Sequence, residues 1–161
     1  MTQTRTSGCQ IDLNFIRDRW DRIQRFAIDD PLAATPFSKA LALEMDWSDQ
    51  FTQLAISEYK RFLLLTSVYS DMVPSIHVDT VWHLHLLYTR SYHRICLEAL
   101  DREFLHHEPS TGNEDEDNKF AQFYLRTLEK YSELFGPAPV EIWGELANTV
   151  MTSFPAALLQ K

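Results

Sequence analysis

A chain of 161 residues can bury one hydrophobic core without disulfide or metal staples and is short for two domains. Its 45% hydrophobic and 24% charged residues, with only four glycines, exclude collagen-like, low-complexity and intrinsically disordered classes. The net charge of −8, with no basic run or stripe to neutralise successive phosphates, argues against nucleic acid and against an anionic membrane surface as partners.

Met1 to Gln10 is polar and is expected to be a flexible N-terminus (1–10) without an apolar signal-peptide core. From Ile11 to Ile28, the residues Leu13, Ile16, Trp20, Ile23 and Ala27 recur at helical spacing and predict a first helix. Asp29-Asp30-Pro31 ends it, because proline disfavours helical geometry in the residue before it. A short helix follows from about Pro36 to Met45, with proline tolerated at a first helical position. Ser48 caps a longer one reaching about Tyr69, whose face Phe51, Leu54, Ala55, Phe62 and Leu65 is interrupted by Glu58. After the break at Met72-Val73-Pro74, either Ser75 or Asp79 can cap a helix over Val78 to Tyr88. Another helix is predicted from Ser91 to about His107.

Glu108-Pro109-Ser110-Thr111-Gly112 reads as a turn. Asn113 then caps a helix that begins Glu114-Asp115-Glu116-Asp117, charges that suit the positive end of its dipole, and Gly136-Pro137 stops it. A final helix spans about Pro139 to Val150, and 151–161 is left as a tail. The expectation is therefore an all-α, single-domain bundle (11–150) of about five to seven helices. The longest apolar run, Phe62-Leu63-Leu64-Leu65, is far short of the roughly 20 residues needed to span a bilayer. Two cysteines, Cys9 and Cys96, provide neither a disulfide framework nor a cysteine-based zinc motif, and the protein reads as cytoplasmic.

All six histidines lie in the stretch from His77 to His107. Each helical residue advances about 100°, so Asp79 and His83, four apart, sit one turn from each other on the same face. A carboxylate and an imidazole at that spacing can share zinc or a ferrous ion, but they need a third ligand. His107 is the candidate, as the last of an inward stripe His93, Leu97, Leu100, Phe104 and His107. It reaches Asp79 and His83 if its helix packs antiparallel to theirs. Glu103, one turn before His107, could join the ion, hold the imidazole's other nitrogen or act as general base, and Glu108 is the alternative base. His85, which points to nearly the opposite side of its helix from His83, and His106 are candidate outer partners. Trp82 and Tyr92 are either pocket walls or ordinary core aromatics. The competing reading is a binding or scaffolding module in which these histidines and Asp79 form a buried hydrogen-bond network.

Other chemistries find less support. Ser75 and Ser91 are near histidines but stand in no Gly-x-Ser-x-Gly elbow, and Cys96 lacks an activating partner. Phosphate-cradling glycine loops are absent.

Val78-Asp79-Thr80-Val81-Trp82-His83-Leu84-His85, then Thr89, Tyr92 and Phe104-Leu105-His106-His107, resembles the glycine-rich domain-containing protein-like family of plants and bacteria. Tyr131-Ser132-Glu133-Leu134-Phe135-Gly136, with Pro137, Pro139 and Ile142-Trp143, is similar to that family's closing segment. The resemblance covers roughly Pro74 to Trp143. It implies a motif on Asp79, Trp82, His83, His85, His106 and His107, and it implies no agreed biochemical activity. The chain departs from the family pattern at Glu108-Pro109-Ser110-Thr111-Gly112, where relatives tend to carry aromatics and a glycine, and it lacks the glycine-rich segment itself. A small helical metal-binding protein, of unknown small-molecule or protein partner, is the expectation.

Overall fold

Phe62, Leu63, Leu64 and Leu65 are consecutive and all fully buried, and a helix apolar on every side must be surrounded by others. That helix, α3 (Asp49–Val68), is the axis of the molecule. Around it pack α1 (Leu13–Arg25), α2 (Phe37–Met45), α4 (Ile76–Leu87), α6 (Glu114–Phe135) and α7 (Val140–Trp143). α5 (Thr89–Glu98) lies on α4, and α8 (Leu146–Val150) lies on α6 and α7. This computed structural model describes residues 12–107, 114–150 and 159, the side chains of 114–118 excepted. Among the described residues there are eight helices and no strand, so the all-α expectation holds. The residues expected to form the N-terminal segment, the turn at Glu108 to Gly112 and the Asn113 cap lie outside the described set, as does the tail apart from Leu159.

The helix starts follow from local chemistry. Asp12 accepts from the Asn14 amide at 2.9 Å, Ser48 from Phe51 at 3.2 Å and Ser75 from Val78 at 3.2 Å, each satisfying one orphan donor of a first turn. Ser75, rather than Asp79, therefore caps α4, and Asp79 is left free for other contacts. At the far end of α6, Gly136 takes the left-handed conformation (φ 82°) that a side chain resists, and the helix stops there as expected.

Three elements differ from the sequence reading. α1 ends at Arg25, with Phe26 extended, so Ala27 and the first-turn Leu13 are exposed while Ile16, Trp20 and Ile23 form the buried face. The expected last helix is two short ones, because Gly144 at φ 74° breaks it between Trp143 and Leu146. Most consequential, α5 stops at Glu98 instead of running to His107. Beyond it the chain turns through Asp101 at φ 51°, whose carboxylate receives both terminal nitrogens of Arg22, at 2.7 and 2.6 Å, and Arg19 at 3.0 Å. The inward stripe of His93, Leu97, Leu100, Phe104 and His107 is accordingly not formed. Tyr92, Ile95, Cys96, Ala99 and Leu100 are buried, while His93, Leu97 and Phe104 are exposed.

Glu58, which breaks the apolar face of α3, has a side chain with 0% exposure. Its carboxylate receives the Tyr131 hydroxyl at 2.7 Å, the Trp143 indole N–H at 2.8 Å and the Arg61 guanidinium. A buried charge is tolerated only when paired and hydrogen-bonded, and this one ties α3 to α6 and α7.

Candidate metal centre

α4 buries Val78, Val81, Trp82, Leu84 and His85, leaving a stripe of Ile76, Asp79, Thr80, His83 and Leu87 that the bundle does not cover completely. The non-helical segment after α5 returns to this stripe. Leu105 is buried, and its carbonyl accepts from the Tyr92 hydroxyl, which in turn accepts from the Trp82 indole N–H at 2.9 Å. This chain of bonds fixes the segment two residues before His107.

His107 Nε2 is 2.7 Å from Asp79 Oδ1, and His83 Nδ1 is 3.3 Å from Asp79 Oδ2. The two imidazoles are 4.4 Å apart between ring centres, and the Trp82 ring stands edge-on to His107 at 4.3 Å. One ligand-capable atom from each of Asp79, His83 and His107 lies within 4.8 Å of the others. Side-chain exposure grades from 14% at His107 through 31% at Asp79 to 57% at His83, so the cluster is anchored on one side and open to solvent on the other. Tetrahedral zinc with bonds of about 2.0–2.2 Å sets its ligand atoms about 3.3 Å apart. The observed separations bracket that value, and modest side-chain rotation would seat an ion in place of the protons now shared with Asp79. The donor set thus fits a divalent cation. A cavity of about 450 Å³ adjoins the cluster, walled by Asp79, Trp82, His106 and His107 and by the apolar Met72, Val73, Pro74, Ile76 and Phe120.

The three expected ligands are brought together, although not by antiparallel helices. His107 arrives on an irregular segment. Trp82 and Tyr92 back the site, and His106 is exposed at the cavity beside Phe104. Glu103 is exposed and makes no hydrogen bond to the cluster among the described residues, and Glu108 lies outside them. His85 is a correction: it is not beside the cluster. It is fully buried, with Nδ1 3.0 Å from the Tyr59 hydroxyl and Nε2 3.0 Å from Ser91 Oγ, and loss of hydration pushes its pKa down to about 4. His77 likewise serves packing, between Trp47 and Phe51, with Nδ1 3.2 Å from the Ile142 carbonyl oxygen.

Sequence reasoning missed the partners of His85 and Glu58. Tyr59 and Ser91 carry no spacing signal toward His85. Glu58 did signal itself, as a lone acid on an apolar face, but two of its three partners, Tyr131 and Trp143, are more than seventy residues away.

An all-helical bundle that presents a carboxylate and two imidazoles on one partly open face defines the class of molecule. The chain belongs to the UCP032817-like family, whose profile matches residues 19–128 and so takes in all three residues of the cluster. It is similar to Glycine-rich domain-containing protein 1 of Arabidopsis thaliana, 26% identical over 136 residues, which cover 78% of this chain and 16% of that protein. Glycine-rich domain-containing protein 2 of the same plant is 27% identical over 95 residues, covering 55% of this chain and 12% of the relative. The chain thus spans a small part of the length of the curated relatives it matches. No solved structure matches.

Proposed function

We propose that Asp79, His83 and His107 hold one divalent cation, zinc or ferrous iron, and that this helical protein works on a small molecule entering beside it. The observation that carries the reading is the approach of three ligand atoms to within 4.8 Å, with both carboxylate oxygens already directed at imidazoles. Two imidazoles and one carboxylate are shared by zinc hydrolases and ferrous oxygenases, so the donor set favours neither metal over the other. Such a cation, when bound, supplies Lewis acidity to a water or an oxygen-bearing substrate. The chain's own residues do the positioning: Trp82 buttresses the His107 ring, and Tyr92 holds the segment that delivers it. Glu103 or Glu108 is the candidate general base, Glu103 making no hydrogen bond to the cluster among the described residues. His106 is placed to meet a substrate in the cavity.

The test is elemental analysis of purified protein with added zinc or ferrous iron, before and after chelation. The expected result is near one metal per chain, lost in His83→Ala and in His107→Ala. Metal-free protein that takes up no ion, with thermal stability indifferent to chelator, defeats the reading.

One observation favours a second reading. Asp79 is already satisfied by two imidazoles, which suffices for a structural network clamping the segment after α5 onto α4. In that case His107→Ala lowers stability by about 1–3 kcal/mol in protein that never binds metal.

A further inference from the structure

A second site stands apart from the histidine cluster. A cavity of about 710 Å³ opens where the turn between α1 and α2 faces the junction of α4 and α5, with Phe37, Tyr88, Arg90 and Ser91 among its walls. Ser91 is also the outer end of the buried chain Tyr59, His85, Ser91.

The direction of hydrogen bonding in that chain follows from satisfiability. Tyr59 is fully buried, and the one acceptor in reach of its hydroxyl among the described residues is His85 Nδ1. A buried hydroxyl donates where it can, so Tyr59 donates to Nδ1. A neutral imidazole accepting at Nδ1 carries its hydrogen on Nε2, which therefore donates to Ser91 Oγ. Ser91 then keeps its own hydrogen. Several other helical hydroxyls spend theirs on the preceding turn: Ser57 on Gln53 at 2.9 Å, Ser67 on Leu64 at 2.7 Å, Thr80 on Ile76 at 2.8 Å. Ser91 makes no such bond among the described residues, and the relay behind it polarises its O–H toward an acceptor. The same geometry denies Ser91 a base, because the imidazole faces it with a proton rather than a lone pair.

Arg90 also lines this cavity and has no ion pair or side-chain hydrogen bond among the described residues, whereas Arg94 is held by Glu98 at 3.0 Å. Asp29 and Asp30 lie on the rim, each already accepting hydrogen bonds, from Ser38 and from the Leu32 amide. Their negative charge disfavours a dianion such as phosphate and tolerates a single charge set against Arg90. Phe37 and Tyr88, edge to face at 5.2 Å, form the apolar wall. We propose that this cavity binds a small monoanionic carboxylate with an apolar body, its oxygens on Ser91 Oγ–H and Arg90, its body against Phe37 and Tyr88.

The experiment uses the full chain labelled with ¹⁵N, titrated with benzoate and, separately, with its neutral analogue benzamide. Saturable shifts of the Tyr88 and Ser91 amides at millimolar benzoate are expected, with no saturation by benzamide. Binding should weaken about tenfold or more in Ser91→Ala and in Arg90→Gln, as loss of a hydrogen bond to a charged group requires. Arg90 is exposed, so Arg90→Gln keeps the fold even where Ser91→Ala, which orphans the His85 Nε2 hydrogen, does not. Imidazole nitrogen spectra should show His85 protonated at Nε2. Equal binding of benzamide, no saturation by about 20 mM benzoate, or undiminished affinity in Arg90→Gln overturns the proposal. So does a His85 protonated at Nδ1, or acylation of Ser91 by p-nitrophenyl acetate.

Discussion

Two buried polar side chains do much of the specifying in this core. Glu58 brings three donors from three directions onto one carboxylate, and replacing it with alanine leaves Arg61, Tyr131 and Trp143 facing an apolar gap. Glu58→Ala is expected to cost about 3–5 kcal/mol in urea unfolding, the range for breaking a buried pair on one side. Glu58→Gln, which keeps an acceptor but loses the charge, should cost less. His85 makes stability depend on pH. Burial lowers its folded pKa from 6.5 to about 4, so between those values the unfolded chain binds a proton that the folded protein refuses. Stability is then highest above pH 6.5 and falls as the solution is acidified, by up to about 3 kcal/mol across the window. Unfolding curves at pH 7 and pH 5 check this. The wild type should lose more than His85→Gln, and equal losses contradict the assignment of a neutral buried imidazole.

At the scale of elements, the end of α5 decides whether a site exists. Nothing in Ser91 to His107 forbids a helix: there is no proline, no glycine, and the apolar spacing continues. What stops it is Asp101, turned into a left-handed conformation and gripped by Arg19 and Arg22 from α1. Those arginine contacts hold the Asp101 carboxyl well below the usual carboxylate range, the bidentate bond to Arg22 being the largest influence. The pair is half exposed, so its direct worth to stability is modest. Its effect on geometry is larger. On the proposed metal reading, Asp101→Ala is expected to weaken zinc binding about tenfold or more while leaving Asp79, His83 and His107 in place, because His107 loses its fixed approach to Asp79. Zinc titration of this variant, with the contact between the His107 and Trp82 rings followed by NMR, measures it; unchanged affinity would mean that Leu105 and Tyr92 suffice to deliver His107.

Across the whole molecule, buried residues from α1 to α8 join in one hydrophobic cluster around α3. Leu64 is fully buried in it, and Leu64→Ala should destabilise by about 2–5 kcal/mol, depending on how far the cavity closes. On the proposed metal reading, zinc at a hundredfold excess over its dissociation constant should raise stability by about 2.7 kcal/mol, and His83→Ala should erase that increment. A melting temperature that zinc leaves unmoved would count against the metal reading at this scale too. Among the described residues, no helix is long and apolar enough to cross a membrane.

Periodicity and capping chemistry are local, which is why the all-α class, the cap at Ser48, the choice of Ser75 or Asp79 as the next cap, the stop at Gly136 and the pairing of Asp79 with His83 were legible in the chain alone. Each depends on residues within about one helical turn. Tertiary structure decided the rest: that α5 ends early because α1 supplies two arginines, that His107 reaches Asp79 on an irregular strand of backbone, and that His85 turns away to Tyr59 and Ser91. Those outcomes are contests between groups far apart in sequence, settled by which buried charges and donors find partners. No spacing rule along one segment contains that information.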